Sequence, residues 1–378
     1  MPSLGETTAM LARLRRAAPA PSAGAGLMAR GEAFGSNPGK LAMLSYTPRA
    51  LAPRSPLVVV LHGCTQTAEA YADNAGWLAL ADRFGFVVLA PEQSPANNPN
   101  RCFNWFSPGD VRRGGGEAAS IASMTAHLIA EHDLDPERVF ITGLSAGGAM
   151  AAAMLASYPD LFTAGAVIAG LPYGVAGNVQ DALRVMSRAD GRPAHMLGAL
   201  VPKPLGGACV PRLSIWHGDA DFTVQVANAH DLAHQWSAAH GLPSSPDRVE
   251  LQAFGTRSTW RSASGDVQVE LNQVRGLGHG TPLSTRGEDG VGRAAPYMLE
   301  AGVSSSLEIA RFWKIDSVAA LEEGPAPTAA EAETARTQEP VHRDAGDLGH
   351  SVMRSISAVP ATVQDTIAKA LRAAGLLK

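Results

Sequence analysis

Two kinds of hydrophobic pattern alternate along most of this chain. Short, mostly apolar runs read as strands occur at Pro56–Leu61 (PLVVVL, continuous and bounded by proline and glycine), Phe86–Ala90 (FVVLA, closed by Pro91), Val139–Thr142, Phe162–Ala169 and Leu213–Trp216. Runs of this kind mark strands buried on both faces. Between them lie segments of helical period. Ala68–Phe84 carries Tyr71, Ala75, Leu78, Ala81 and Phe84 on one stripe before Gly85, and predicts a single helix. Glu117–Leu134 repeats the pattern through Ile121, Met124, Leu128 and Ile129 until Asp135-Pro136 breaks it. Gln225–His240 and Val303–Lys314 are two further helices. Lys40–Tyr46 reads as an edge strand, and Val267–Val274 alternates as a strand leading into GLGHG. Strands alternating with helices predict an α/β fold, a mostly parallel central sheet with helices on both faces. Such sheets bind ligands at the carboxyl ends of their strands.

The ends of the chain read differently. Residues 1–38 form a flexible lead-in and 39–316 the globular domain. Residues 317–358 are an Ala/Glu/Pro/Thr-rich linker without periodic hydrophobes. Residues 359–378 form a short amphipathic helix, with Val363, Ile367 and Leu371 opposite Asp365, Lys369 and Arg372. That helix either docks on its own domain or serves as a surface or partner anchor. Arg13, Arg15 and Arg16 are not followed by the continuous apolar core of a secretory signal, so a cytoplasmic location is expected, with export by another route as the alternative.

Composition narrows the function classes. Of 378 residues, 46% are hydrophobic and 17% charged, and the formal net charge is -4. A sizeable core is affordable, and no basic field exists to hold nucleic acid. No apolar run approaches the roughly 18 residues that span a bilayer. Three cysteines are too few for a disulfide scaffold.

The candidate chemistry centres on VFITGLSAGGAM, Val139 to Met150. A strand here turns directly into a helix through Gly143-Leu144-Ser145-Ala146-Gly147. The pentapeptide G-x-S-x-G is weak by itself, but the flanking strand and helix supply its context. Small neighbours permit a tight turn that lifts the Ser145 hydroxyl above the sheet edge. A serine hydroxyl needs a base, and the base needs a third group to fix its tautomer. In strand-turn-helix hydrolases the order is serine, acid, histidine. The acid is Asp221 in LSIWHGDADFTV, with Asp219 in reserve, and the base is His279 in GLGHG. The oxyanion donors are the amides of Ala146 and Cys64, with Thr65 as the alternative to Cys64. His230 and His234 are four apart on a helix, but DLA between them lacks the glutamate of a zinc-protease motif. They read as an exposed pair, and neither metal nor cofactor is expected. Trp105 in the long loop Asn97–Gly116 and Tyr173 in GLPYG are candidate substrate contacts, and Trp260 a weaker one.

The motifs HGCTQTAEAY, GWLALADRFGFVVLAPEQ, CFNWF, GLSAGGAM, YPDLFTAGAVIAGLPYG and HGDADFTV together closely resemble the polyhydroxybutyrate depolymerase-like esterases, which include feruloyl and acetylxylan esterases. The resemblance runs from about Pro56 to Phe312. It implies an α/β-hydrolase fold and carboxylic ester hydrolysis through an acyl-enzyme, with Ser145, Asp221 and His279 as triad. The expected substrate is an ester of a 3-hydroxyalkanoate or its oligomers. A feruloyl, acetylxylan or short-chain aryl ester is the alternative, and a silent granule-binding protein the non-enzymatic one. Many family members are extracellular. Cys64 and Cys102 both fall in family motifs, in loops at the same end of the sheet, as a disulfide or as two free thiols.

Overall fold

The computed structural model describes residues 26–204 and 206–317. The expectations for the first 25 residues, for nearly all of the linker and for the C-terminal helix lie outside the described residues.

The first strands are β1 (Ala29–Gly31), β2 (Ala42–Tyr46) and β3 (Leu57–Leu61), then helices α1 (Ala68–Asn74) and α2 (Trp77–Phe84) and strand β4 (Val87–Glu92). Next come α3 (Pro108–Val111), α4 (Gly116–Glu131), β5 (Val139–Leu144), α5 (Ala146–Ser157), β6 (Ala164–Ile168), α6 (Val179–Arg188) and α7 (Ala194–Gly198). The chain continues through β7 (Arg212–Gly218), α8 (Ala227–Ala239), β8 (Arg248–Gln252), β9 (Gly255–Arg261) and β10 (Val267–Val274). Two short strands, β11 (Thr281–Leu283) and β12 (Met298–Glu300), precede α9 (Ser305–Trp313).

Ten strands form one sheet in the order β1-β2-β4-β3-β5-β6-β7-β10-β9-β8. The six from β4 to β10 are mutually parallel, and antiparallel pairings extend both edges. β3 explains the unbroken apolar runs. Leu57, Val59 and Leu61 face one core with α4 and α5, while Val58 and Val60 face the other with α1, α2 and α9. Every residue of β3 and of α5 is buried. A helix packed against the sheet on one side and neighbouring helices on the other has no use for an amphipathic stripe.

Four sequence expectations change. The helix predicted over Ala68–Phe84 is two helices. All five residues of its stripe are buried, but Gly76 takes a φ of 89° and turns the chain between them. Ser306 Oγ donates to the Ala75 carbonyl (2.8 Å), satisfying a group at the break. Second, β2 is not the edge. β1 pairs antiparallel with it, and Met28 and Phe34 are buried, so the folded domain begins ahead of residue 39. Third, β4 continues through Pro91 to Glu92. Fourth, β8 and β9 are absent from the sequence reading. On β8, Val249 and Leu251 point to solvent, so its pattern lacks the inward apolar positions that identify a strand.

Candidate active site

Ser145 alone connects β5 to α5, with φ 57° and ψ -117°. That conformation costs of order 1–3 kcal/mol and persists only where the surroundings over-determine it. Here they do. A Cβ on Gly143 would overlap the Gly147 carbonyl, and one on Gly147 would overlap the Leu61 carbonyl of β3. The turn therefore closes only with glycine on both sides.

Asp221 follows β7 and His279 follows β10, so both reach the carboxyl ends of parallel strands, as Ser145 does after β5. His279 Nδ1 lies 2.7 Å from Asp221 Oδ2. Asp221 Oδ1 accepts from the amides of Thr223 (2.8 Å) and Val224 (2.9 Å). Burial alone would raise the Asp221 carboxyl, but hydrogen bonds from His217 and His279 hold it well below the usual carboxylate range. Asp219 is exposed and accepts from the Gly276 amide (2.6 Å), bracing the histidine loop. His217 went unread in the sequence. It is buried, with Nε2 2.8 Å from the Val224 carbonyl and 3.3 Å from Asp221 Oδ2. Its signal lay in HGDADFTV itself, as the histidine four residues before the acid.

With Nδ1 engaged, His279 has Nε2 left for a substrate-side partner. His279 and Ser145 line the same cavity of about 340 Å³. Cys64 and Ala146 line it too. The Thr65 amide donates to the Asn100 carbonyl (2.7 Å), which takes it out of competition with Cys64. Cys64 and Cys102 are joined as a disulfide, their Cα atoms 4.2 Å apart. It fixes the loop after β3 to the long loop that carries Trp105.

The remaining candidates divide. Trp105 is buried and lines the cavity. Tyr173 does not; it lines a neighbouring cavity, and its backbone is clasped by Gln235 through both N–H and carbonyl. Trp260 is core on β9, its Nε1 donating to the Ser244 carbonyl (3.2 Å). His230 is exposed and lies 3.2 Å from the Gln273 amide. Among the described residues, no group of three His, Cys, Asp or Glu could hold a metal ion. Nor is any helix there long and apolar enough to cross a membrane. Missed entirely were Val179, Leu183 and Met186 of α6, which wall the cavity, and Tyr297, whose ring meets His279 edge-on at 6.2 Å. The helical spacing of the α6 residues was the available signal.

Behind this site lies a buried carboxylate. Glu117 Oε2 accepts from the Asn104 amide (2.8 Å), and Oε1 accepts from Asn104 Nδ2 (2.7 Å) and from Gln93 Nε2. Burial pushes Glu117 up to about 7, against the pull of these donors, and Asp110 adds a like-charge push. The unfolded group titrates near 4.5. The native state therefore holds a proton that the unfolded state has lost between these values, and stability falls as pH rises through that window. Relative to Glu117→Gln, the wild type should lose roughly 3 kcal/mol of unfolding free energy between pH 4 and pH 8. Urea midpoints of both proteins across that range check it; parallel curves would refute it.

Comparison with known proteins gives this architecture its class. The esterase PHB depolymerase family model matches residues 41–247. A poly(3-hydroxyalkanoate) depolymerase C from Paucimonas lemoignei is 42% identical over 285 residues, covering 75% of this chain and 69% of the relative. An acetylxylan esterase from Coprinopsis cinerea is 34% identical over 274 residues, covering 70% and 72%. The solved acetyl xylan esterase from Aspergillus awamori superposes with a TM-score of 0.64 at 25% identity, covering 77% of this chain and all of that one. The chain is thus a carboxylic ester hydrolase of the α/β-hydrolase fold. It belongs to the esterase PHB depolymerase family. A catalytically silent granule protein is set aside.

Proposed function

We propose that Ser145 is the nucleophile, His279 its base and Asp221 the group that orients and stabilises the imidazole. Asp221 accepts a hydrogen bond from the Nδ1–H of His279, which leaves Nε2 unprotonated and able to take the proton of the Ser145 hydroxyl as the oxygen attacks the ester carbonyl. The amides of Cys64 and Ala146 hold the oxyanion of the tetrahedral intermediate. His279 then returns its proton to the departing alcohol, and water repeats the sequence on the acyl-enzyme. The observation that carries this reading is the 2.7 Å pairing of His279 with Asp221 at the wall of the cavity that Ser145 enters.

For the substrate, we favour esters of 3-hydroxyalkanoates or their oligomers. Leu144, Leu171, Val179, Leu183 and Met186 make the cavity walls apolar, which suits an aliphatic acyl chain better than a sugar. The 42% identity to a poly(3-hydroxyalkanoate) depolymerase supports the same choice. Acetylxylan is the second reading, favoured by the match to the Aspergillus awamori enzyme. A panel of p-nitrophenyl acetate, butyrate and longer esters, with 3-hydroxybutyrate oligomers and acetylated xylan, separates them. The expected result is a kcat/KM for butyrate at least about tenfold above acetate, since each buried methylene contributes about 0.8 kcal/mol, together with turnover of the oligomers. Preference for acetate with release of acetate from xylan would overturn the hydroxyalkanoate reading.

A further inference from the structure

His62, the first residue after β3, is fully buried. The Gln93 amide donates to its Nε2 (3.1 Å), so the ring's proton resides on Nδ1, which donates to the Gly63 carbonyl (2.8 Å). Burial holds the His62 imidazole below its ordinary value, which keeps it neutral and this tautomer in place. The Gly63 carbonyl and the Cys64 N–H belong to one planar trans peptide and point in opposite directions. Fixing the carbonyl therefore aims the amide. The Gln66 amide also donates to that carbonyl (3.3 Å), closing the turn.

The next link is the side chain of Gln93. Its Nε2 donates to Glu117 and to the Cys102 carbonyl (3.2 Å), while its Oε1 accepts from the Ser94 amide (2.8 Å). Asn104, tied to Glu117 by both backbone and side chain, in turn accepts from Asn98 Nδ2 (3.0 Å). Two arms thus run from one carboxylate to Cys64. One passes through Gln93, His62 and the Gly63 carbonyl. The other passes through Gln93, Cys102 and the disulfide. The partners of Glu117 are amides rather than a cation, so the buried carboxylate is costly, and an apolar residue would suit a purely structural position better. A satisfied polar network does what apolar packing cannot, which is to specify direction.

We propose that Glu117 is a positioning residue of the oxyanion site: acting through Gln93, its carboxylate sets the direction of the Cys64 amide and with it the stabilisation of the tetrahedral intermediate. This rests on the reading of Cys64 as an oxyanion donor and Ser145 as nucleophile.

The test uses the full chain with p-nitrophenyl butyrate at about pH 8.5, where Glu117 is ionised. Active sites are counted with a fluorophosphonate, and an alkyl boronic acid serves as a tetrahedral adduct of Ser145. In Glu117→Gln, kcat per titrated site falls about 10- to 100-fold with KM within about twofold, and the boronate Ki rises by a similar factor, because only the charge-developing state depends on the aimed amide. Gln93→Met cuts the same relay while keeping volume, and shows a smaller loss of the same kind. It decides the matter if Glu117→Gln yields no titratable sites. A merely structural role predicts fewer titrated sites with wild-type kcat, KM and Ki at each; that result overturns the proposal, as does a rise in KM with kcat unchanged. Ser145→Ala is run alongside. If it retains turnover, the nucleophile reading fails; if it is inactive while both relay variants match wild type, only the relay fails.

Discussion

Ser145→Ala should lose about 10⁴- to 10⁶-fold in kcat on p-nitrophenyl butyrate, with KM little changed and the fold intact. In barrier terms that is roughly 5 to 8 kcal/mol. The loss is this large because no other hydroxyl can replace the one at the strand–helix apex, where the backbone is held at φ 57° by contacts on both sides. Alanine accepts the same backbone and the half-buried site, so the variant should fold. A residual rate well above water would remain from the oxyanion amides and substrate binding. Steady-state assay together with near-UV circular dichroism checks it. Retention of even a tenth of wild-type turnover would remove Ser145 from the mechanism.

The second large effect separates two aspartates two residues apart. Asp221→Asn should lower kcat by about 10⁴-fold. The asparagine presents either a donor to Nδ1, which forces the imidazole into the wrong tautomer, or a neutral carbonyl, which no longer stabilises the imidazolium. Asp219→Asn should stay within about threefold of wild type, because its carboxylate braces the Gly276 amide in an exposed loop. Such exposed interactions contribute little. A wild-type rate for Asp221→Asn beside a crippled Asp219→Asn would exchange the two roles. The burial of Asp221 makes a control necessary. Its Oδ1 accepts two amides that asparagine can also satisfy, so an equilibrium unfolding curve should separate lost chemistry from lost fold.

The Glu117 network changes how the long loop Asn97–Gly116 is understood. It is a polar, glycine-rich connection, yet its central part is held from beneath by a carboxylate on the first turn of α4. The disulfide holds it from the side. Trp105, next to Asn104, is carried into the cavity wall by the same attachment. The same support thus reaches the cavity wall at Trp105 and the loop that carries Cys64, so a variant at Glu117 has two ways to reach the cavity. The boronate measurement isolates one of them.

Much was legible in the sequence, and for local reasons. A short, continuous apolar run signals burial on both faces, and Pro56–Leu61 and Val139–Thr142 are indeed fully buried central strands. Glycines two before and two after Ser145, set between a strand pattern and a helix pattern, marked a turn too tight for a side chain. These properties lie within a few residues of chain, and sequence carries them directly. Helix continuity across Gly76 was misread, because its apolar stripe persists through the break while the glycine's positive φ does not show in hydrophobicity.

Tertiary structure decided the choices between near neighbours. Asp221 rather than Asp219 meets His279, 58 positions later in the chain. The Asn100 carbonyl claims the Thr65 amide, and Tyr173 lines a different cavity. Glu117, an apparent polar start to an amphipathic helix, proves to be buried under a loop it ties together. In each case the deciding partner is brought in by strand order and loop packing. Chemistry and spacing along the chain determined which residue types could act; direction and hydrogen-bond partners, fixed only when distant segments pack, determined which of them meet.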